Sequence, residues 1–464
     1  MHANSPRARN LAFAGVLLGM AMAQLDGLVV AAALPSIAAD LHAGSGLVAV
    51  TAAGLLTTTV ATPLHGRLGD LYGRRALFAI TLLIFAAGSA WCAAAPDIGS
   101  LIAARALQGL GGSGLIVTAM SALGELFDRD ELLRRQGWQT AVFAAASVGG
   151  PPLGGLIAAG PGWRWIFLIN LPLCVPALVL GLRGLPRKPS RAKERFDVFG
   201  SVLLVVGGSA LVALGSVDGL ATSPLWTPML AAAAVASAVL FVRRQRSAAS
   251  PLISPKVFAD RVLARSVVVN GLAGAALYGT YTYVALLVAL GAGGAARTGL
   301  VLIAMTAGQL ALSASFSVLA RKRPRMTAWA RFGCALGAGG LALCAVAPAL
   351  DDAARWMALL PGLFAMGAAF AVCTAAYTVL GQSRAARENI GVTMGSLTFA
   401  RQAGGLLGTA VFGWLALATT GGLEAPGLTV VFVAAAGVMI AAWCTSPARG
   451  AEAVTSSGAV SSSS

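Results

Sequence analysis

The chain has 464 residues, of which 57% are hydrophobic and 11% are charged, and its mean hydropathy is +0.80. A soluble protein of this length cannot bury that much apolar surface, so the soluble classes are excluded. The formal net charge of +16 does not indicate nucleic-acid binding, because the basic residues lie in short segments between long hydrophobic runs.

The hydrophobic runs are the elements of the predicted fold. Each has the length of a membrane-spanning helix, about 20 residues, and none has the weak alternating pattern of a transmembrane barrel strand. The sequence therefore predicts an all-α polytopic membrane protein. Its fourteen spans lie at roughly 11–34, 47–67, 76–95, 101–124, 138–159, 165–183, 198–217, 225–242, 264–290, 298–319, 327–348, 356–380, 392–417 and 427–445.

A weak internal repeat suggests how these spans are grouped. Arg105–Gly111 in the fourth span resembles Pro361–Gly367 in the twelfth, and repeated halves are common in secondary transporters. The predicted domains are a cytoplasmic N-terminus (1–10), an N-terminal six-helix bundle (11–183), cytoplasmic linkers with a two-helix insert (184–262, with spans at about 198–217 and 225–242), a C-terminal six-helix bundle (263–445) and a disordered cytoplasmic tail (446–464).

The basic residues predict the orientation in the membrane. With the N-terminus inside, 27 of the 33 Lys and Arg residues lie in cytoplasmic segments and three lie in outer loops. The remaining three, Arg105, Arg331 and Arg401, fall within spans. Because positive residues are retained on the cytoplasmic side, both termini are expected to be cytoplasmic in a multi-pass protein of the cell membrane.

Asp26 is the only acid well inside any predicted span. A carboxylate there costs about 2.5–3.5 kcal/mol on insertion scales, and such residues usually face a polar cavity and serve transport or proton movement. The alternative is a structural acid that is paired with a basic neighbour and never titrates.

The segment Gly66–Arg75 joins the second and third spans on the predicted cytoplasmic side. Gly66 and Gly73 permit a tight turn and a close approach of helices. Asp70 lies near Arg67, Arg74 and Arg75 in the sequence, so it can hold a charge-assisted network at the membrane surface. It could also face the positive N-terminal end of a neighbouring helix.

The fourth and fifth spans contain further unusual residues. Arg105 lies inside a span and needs a partner or water, although it could also extend to the outer interface. In the fifth span Pro151 interrupts the hydrogen-bond ladder, and Gly150, Gly154 and Gly155 let helices touch along their backbones. A kinked, closely packed helix suits a hinge.

Four motifs resemble the drug:proton antiporter family with fourteen helices, a branch of the major facilitator superfamily. Leu28, Ala31 and Ala146 depart from the usual Thr, Asn and Gly of that family. In order within residues 11–445, the motifs are Leu25-Asp26 with Ala33-Leu34-Pro35, Gly66-x-Leu68-x-Asp70-x-x-Gly73-Arg74-Arg75, Arg105-x-x-Gln108-Gly109-x-Gly111, and Gly150-Pro151-x-x-Gly154-Gly155.

The resemblance implies a fold and roles for the motif residues. The fold is the major facilitator fold, with two six-helix bundles plus a two-helix insert. In that family the loop containing Gly66 and Asp70 latches the cytoplasmic side in one state, and the arginine of the fourth span is linked to proton transfer. Arg105 is thus the candidate partner of Asp26 in proton coupling. Gly150–Gly155 corresponds to the antiporter motif.

Polar side chains within spans are candidates for lining a substrate cavity. Hydrogen bonding between helices explains each of them equally well. Together with Asp26, the candidates are Gln24, Gln108, Tyr278, Tyr281, Gln309, Tyr377, Arg401 and Gln402.

The predicted function is proton-coupled export of lipophilic drugs or antibiotics by alternating access. The expected partners are a small lipophilic substrate, protons and the lipid bilayer, with no nucleic acid, and a monomer is expected. The nucleotide-binding pattern Gly-x-x-x-x-Gly-Lys-[Ser/Thr] is absent, so an ion gradient is the simplest energy source. The isolated cysteines and scattered histidines indicate no metal site or cofactor.

Other functions remain open from the sequence. An exporter of an endogenous metabolite or a lipid would have the same fold. A passive facilitator or channel without proton coupling would belong to a different class. An intramembrane enzyme is not expected, because the spans contain no His-Glu-x-x-His motif, Ser/Lys site or paired acids.

Overall fold

The structure is a computed structural model. It describes residues 6–41, 47–127, 129–187, 197–216, 225–247, 259–280, 283–284, 295–322, 325–385, 389–420 and 425–447. These residues form helices and no strands. The helices are α1 (Pro6–Leu41), α2 (Leu47–Tyr72), α3 (Arg74–Ala94), α4 (Ile98–Leu126), α5 (Arg129–Ala159), α6 (Trp165–Leu168), α7 (Asn170–Gly184), α8 (Val198–Ser216), α9 (Trp226–Ser247), α10 (Arg261–Gly279), α11 (Ala295–Lys322), α12 (Met326–Val346), α13 (Asp352–Arg384), α14 (Ile390–Thr420) and α15 (Ala425–Thr445).

The helices agree with the all-α prediction, and every predicted span overlaps a helix. Most helices extend beyond their spans because hydropathy marks only the apolar part of each one; α1, for example, has 36 residues. The ninth predicted span, 264–290, coincides with α10 up to Gly279, and residues 281–282 and 285–290 of it lie outside the described residues. Within the described ranges, eight helical segments are long and apolar enough by themselves to cross a membrane. The predicted disordered tail lies outside the described residues from position 448 onward.

The chain divides into two compact units. The first comprises Met1–Phe127, Val142–Val257 and Ala385–Phe399, and the second comprises Asp128–Ala141, Phe258–Arg384 and Ala400–Ser464. The two helices of the predicted insert, α8 and α9, belong to the first unit. The division into two six-helix bundles stays a prediction.

In the first unit, α4 packs against α1, α2 and α3. Glycine permits the close approach of α3 to α4: a Cβ at Gly88 would lie 2.6 Å from the Cα of Gln108. Asp97 begins α4 by accepting a hydrogen bond from the Ser100 amide at 2.9 Å. The α4 helix therefore packs closely against α3, and this packing brings its side chains next to those of α1 and α3.

In the second unit, α13 packs against α10, α11 and α12, and α12 also packs against α15. Asp260 links two of these helices: it accepts hydrogen bonds from the Val262 amide at 2.8 Å and from Arg384 Nε at 2.9 Å. Burial alone would raise the pKa of Asp260, but these hydrogen bonds outweigh burial and hold the pKa below its usual range.

Candidate functional site

The first unit buries an ion pair between α1 and α4. Asp26 is 8% exposed and Arg105 is 5% exposed, and Arg105 Nη1 donates to Asp26 Oδ2. The Arg105 guanidinium carbon lies 5.9 Å from the ring centroid of Phe167 on α6. Because both side chains are buried, removal of either one would leave an unpaired buried charge, which strongly destabilises a folded protein.

Gln108 joins the two charged groups. Its Nε2 donates to Asp26 Oδ1 at 2.7 Å and to Ser89 Oγ at 2.8 Å, so both amide hydrogens are used. Its Oε1 accepts from Arg105 Nη1 and, at 3.6 Å, from Cys92 Sγ. The amide is thus oriented with its oxygen toward the cation and its nitrogen toward the anion.

Asn170, the first residue of α7, completes the set of polar groups. Its Nδ2 lies 3.5 Å from Asp26 Oδ1 and 3.4 Å from Ser89 Oγ. Four helices, α1, α3, α4 and α7, therefore contribute to one buried polar network, the Asp26 network, whose members are Asp26, Ser89, Cys92, Arg105, Gln108 and Asn170. A change of charge at Asp26 therefore alters hydrogen bonds that involve all four helices.

An apolar cluster adjoins this network and shares Cys92 with it. Along α1 it begins at Val29, and along α4 it includes Leu101 and Ala104, all of them buried. Ile166 and Phe167 from α6 belong to the same cluster. Apolar surroundings lower the local dielectric, so the attraction between Asp26 and Arg105 is stronger than at a solvated surface.

We expect Gly88→Ala to destabilise the first unit. A Cβ at this position would lie 2.6 Å from the Cα and N of Gln108, so α3 and α4 must separate. Overpacking of this kind costs about 1–3 kcal/mol, and thermal unfolding in detergent should occur at a lower temperature. Gly155→Ala is the matched control, because a Cβ at Gly155 meets no atom within 4 Å. Equal unfolding temperatures for the two variants would contradict this account.

A second charged cluster lies at the junction of α2 and α3. Arg74 pairs with Asp70, and its Nε donates to Glu125 Oε1 on α4 at 3.0 Å. The side chains of Arg74 and Asp70 are each 2% exposed. Arg75 is half-buried, and among the described residues it forms no ion pair with either acid. The three charges of Asp70, Arg74 and Glu125 therefore form a compact buried group.

Asp70 also caps the N-terminus of α14, whose first turn belongs to the same unit. The Gly391 amide donates to Asp70 Oδ1 at 3.0 Å, and the Val392 amide donates to Oδ2 at 2.8 Å. Both groups have no partner within their own helix, and the positive end of the helix dipole favours a carboxylate here. The Asp70 carboxylate thus pairs with Arg74 and also accepts hydrogen bonds from the first turn of α14.

Glycines make this arrangement possible. A Cβ at Gly66 would overlap the carbonyl oxygen of Gly391, and a Cβ at Gly395 would lie 3.1 Å from the carbonyl oxygen of Thr62. The backbones of α2 and α14 therefore touch. Gly73 has φ 86°, a left-handed conformation that favours glycine, and this turn lets α3 begin immediately after α2.

The antiporter-motif residues lie on α5, which continues as one helix through the predicted kink. A Cβ at Gly150 would lie 2.8 Å from the Cβ of Leu28, so α5 approaches α1 closely there. Gly154 is buried and Gly155 is exposed. The side chain of Pro151 lies outside the described residues.

The candidate cavity residues occupy both units. Gln108 belongs to the Asp26 network, and Gln24 is half-buried on α1. In the second unit, Gln309 and Tyr377 are buried, with the Tyr377 hydroxyl 3.1 Å from Ser446 Oγ. Arg401 and Gln402 on α14 are half-buried. Tyr281 and the side chain of Tyr278 lie outside the described residues.

Sequence reasoning missed several residues of these two clusters. Ser89 and Asn170 are ordinary polar residues in apolar stretches, and only the fold brings them to Asp26. Glu125 lies just beyond a predicted span. Gly391 and Val392 contribute backbone amides, which carry no side-chain signal, although the position of Gly391 at a predicted span start could have suggested a capped helix.

Comparison with known proteins identifies the family to which this chain belongs. A family model described as Major Facilitator Superfamily matches residues 16–409. The multidrug transporter protein MdtP of Bacillus subtilis is 31% identical over 425 residues, which cover 89% of this chain and 76% of MdtP. The uncharacterized MFS-type transporter Rv1877 of Mycobacterium tuberculosis is 30% identical over 89% of this chain and 60% of its own length.

Two solved structures are similar at low sequence identity. The human organic anion transporter MFSD10 (TETRAN) has a TM-score of 0.68 at 14% identity, covering 95% of this chain and 99% of that chain. The proton:xylose symporter XylE has a TM-score of 0.61 at 14% identity, covering 95% of both chains. At this identity the likeness shows the fold alone.

Proposed function

Since the chain belongs to the major facilitator superfamily, whose members are multi-pass membrane transporters and not enzymes, we propose a transport function for it. The proposed function is export of lipophilic drugs or antibiotics across the cytoplasmic membrane in exchange for protons. The drug class is supported by similarity to a protein named as a multidrug transporter. Proton coupling rests on one observation, the buried Asp26–Arg105 pair and its contacts with Gln108.

The proposed coupling step is protonation of Asp26. A carboxylate binds a proton more tightly in apolar surroundings and less tightly beside a guanidinium. When Asp26 takes up a proton, it loses its charge and most of its attraction to Arg105. Arg105 then needs another partner, so the helices that carry the two groups favour a different arrangement. Return of the proton to the cytoplasm restores the pair.

The membrane potential can supply the energy for this cycle. One elementary charge that crosses 100 mV releases about 2.3 kcal/mol. Since about 1.36 kcal/mol corresponds to a tenfold ratio, one proton can maintain a roughly 50-fold gradient of a neutral substrate. A single acid such as Asp26 is therefore sufficient to drive useful export.

The proposed topology has both termini in the cytoplasm. In this orientation the cluster of Asp70, Arg74 and Glu125 lies at the cytoplasmic end of the helices. We propose that the contact between Asp70 and the first turn of α14 forms in one state of the cycle and breaks in another. Its two amide hydrogen bonds and its ion pair make that state favourable.

Arg105→Gln should shift the pH dependence of transport to higher pH. Without the guanidinium, the ionised form of the carboxylate loses the neighbouring charge that favours it. The measurement is ethidium uptake into everted membrane vesicles as a function of pH.

Two further variants make the pH experiment specific. Arg105→Lys retains the charge and should shift the profile less. Arg164→Gln removes an exposed arginine that pairs with Asp40, away from the Asp26 network, and should leave the profile unchanged. A wild-type profile for Arg105→Gln would rule out the pairing as the determinant of proton affinity.

A further inference from the structure

The second unit has a half-buried arginine that the proposed transport cycle does not use. Arg331 is the sixth residue of α12, so it lies about 7.5 Å along the helix axis from Met326. Both α12 and α15 are among the helices long and apolar enough to cross a membrane. The position therefore puts a permanent charge inside a membrane-spanning helix.

Arg331 is held by an aromatic ring. Its guanidinium carbon lies 4.4 Å from the ring centroid of Trp443, which is near the end of α15. Trp443 is 40% exposed, so one face of the ring is covered by the guanidinium while part of the indole remains open. Tryptophan prefers the membrane–water interface, where its amphipathic ring contacts both lipid and headgroups.

The surface around this pair is apolar. Phe332 beside Arg331 is 47% exposed, and Ile440, one turn before Trp443, is 55% exposed. Farther along the same two helices, about 18 Å and 15 Å from the pair, Leu343 and Val433 are also exposed. Apolar side chains exposed on membrane-spanning helices contact lipid, so Arg331 and Trp443 lie at the rim of a lipid-facing surface.

Arg331 has no carboxylate partner among the residues that the structure describes. Two more cations are exposed near the start of α12 in the sequence: Lys322 is the last residue of α11, and Arg325 immediately precedes α12. Intramembrane arginines normally pair with an acid or face a polar interior. A cation–π contact offsets only part of the cost of the buried charge, because the ring is a weak partner compared with an anion.

We propose that Arg331 and Trp443 form a binding site for the headgroup of an anionic phospholipid. The planar guanidinium binds phosphate oxygens through two parallel hydrogen bonds. The ring fixes the guanidinium in place, and Lys322 and Arg325 add attraction for negative charge. The acyl chains lie along the exposed apolar residues of α12 and α15. On the proposed topology the lipid belongs to the cytoplasmic leaflet, where basic pockets between helices favour such headgroups.

Native mass spectrometry of the purified full chain tests this proposal. The protein is equilibrated with mixed micelles that contain equal amounts of phosphatidylglycerol and phosphatidylcholine, and the retained lipids are counted. Wild type is expected to retain one phosphatidylglycerol molecule more than Arg331→Gln, whose occupancy should fall roughly tenfold, the value of one charge-assisted hydrogen bond. Arg355→Gln, in the first turn of α13 and away from Trp443, is the matched control and should retain the wild-type number.

Two further variants keep the test decisive. Trp443→Leu should also lower phosphatidylglycerol occupancy, because the guanidinium loses its support. If Arg331→Gln does not fold, Arg331→Lys keeps the charge but not the planar fork and should still bind less phosphatidylglycerol than wild type. Equal retention of phosphatidylglycerol by wild type and the folded Arg331 variant would overturn the proposal. Equal retention of phosphatidylglycerol and phosphatidylcholine by wild type would overturn it too. In either case the Arg331 side chain would simply extend to water.

Discussion

Asp26→Asn is expected to abolish uphill, proton-driven transport. Asparagine has nearly the same shape as aspartate but cannot take up and release a proton, so no step of the cycle would depend on the proton gradient. The measurement is energy-dependent ethidium accumulation in everted vesicles that maintain a proton gradient, compared with ethidium movement down its own gradient. The first should disappear, and the second can persist.

Stability must be separated from coupling in this experiment. Asp26→Asn leaves Arg105 as an uncompensated buried cation, and breaking a buried pair in this way costs about 3–5 kcal/mol. The double variant Asp26→Asn/Arg105→Gln removes both charges and should regain most of that stability in thermal unfolding, yet it should remain inactive in uphill transport. Asp40→Asn is the control: it makes the same chemical change on α1 at a carboxylate that is 48% exposed. Uphill transport by Asp26→Asn at the wild-type rate would disprove the assignment.

Asp70→Asn is expected to release the first turn of α14. Asparagine removes the charge that binds Arg74, and its amide nitrogen cannot accept from a backbone N–H, so one of the two amides loses its partner. Each lost charge-assisted hydrogen bond is worth about 1.5–3 kcal/mol. Amide hydrogen exchange of residues 389–395 should therefore accelerate at least about tenfold, and the transport rate should fall because one state of the cycle is weakened.

Asp97→Asn is the matched control for this exchange experiment. Asp97 also caps a helix, since it accepts from the Ser100 amide at 2.9 Å, but that helix is α4. Its substitution should leave the exchange rate of residues 389–395 at the wild-type value. If Asp70→Asn also left that rate unchanged, the cap on α14 would contribute nothing to stability, and its role as a latch would be untenable.

The helices and the family were predictable from the sequence. Hydrophobic runs of membrane-spanning length locate all the long helices, because the bilayer requires every span to be apolar and helical. The predicted superfamily is confirmed by the match over residues 16–409. The ends of the helices were less predictable: α1 begins five residues before and ends seven residues after its predicted span, since polar residues can continue a helix beyond the hydrocarbon region.

The Asp26 network shows why a site is harder to predict than a span. The acid and the arginine are conspicuous, because a charge in an apolar helix is rare. Ser89 and Asn170 carry no such signal, and their contacts with Asp26 and Gln108 depend on how α3 and α7 pack against α1 and α4. Hydropathy gives the positions of helices along the chain but not which helix faces which.

The cluster around Asp70 adds a second reason. The sequence suggested that Asp70 could pair with arginines or face a helix terminus, and the structure places both partners on the same carboxylate. The terminus belongs to α14, more than 300 residues away in the chain. Contacts between a side chain and distant backbone amides leave no pattern in a single sequence, so the identity of that helix could come only from the fold.

The most direct test of the account is whether Asp26 gains and loses a proton. Infrared difference spectra of the protein in lipid, recorded while the pH is changed, detect the C=O stretch of a protonated carboxylic acid and need no substrate. As the pH falls, wild type should show a component of this band that Asp26→Asn lacks, because the other carboxyl groups of the chain contribute to both spectra. Arg105→Gln should show that component at higher pH than wild type. Identical spectra for wild type and Asp26→Asn would mean that Asp26 does not exchange a proton, and proton coupling through the buried pair would be wrong.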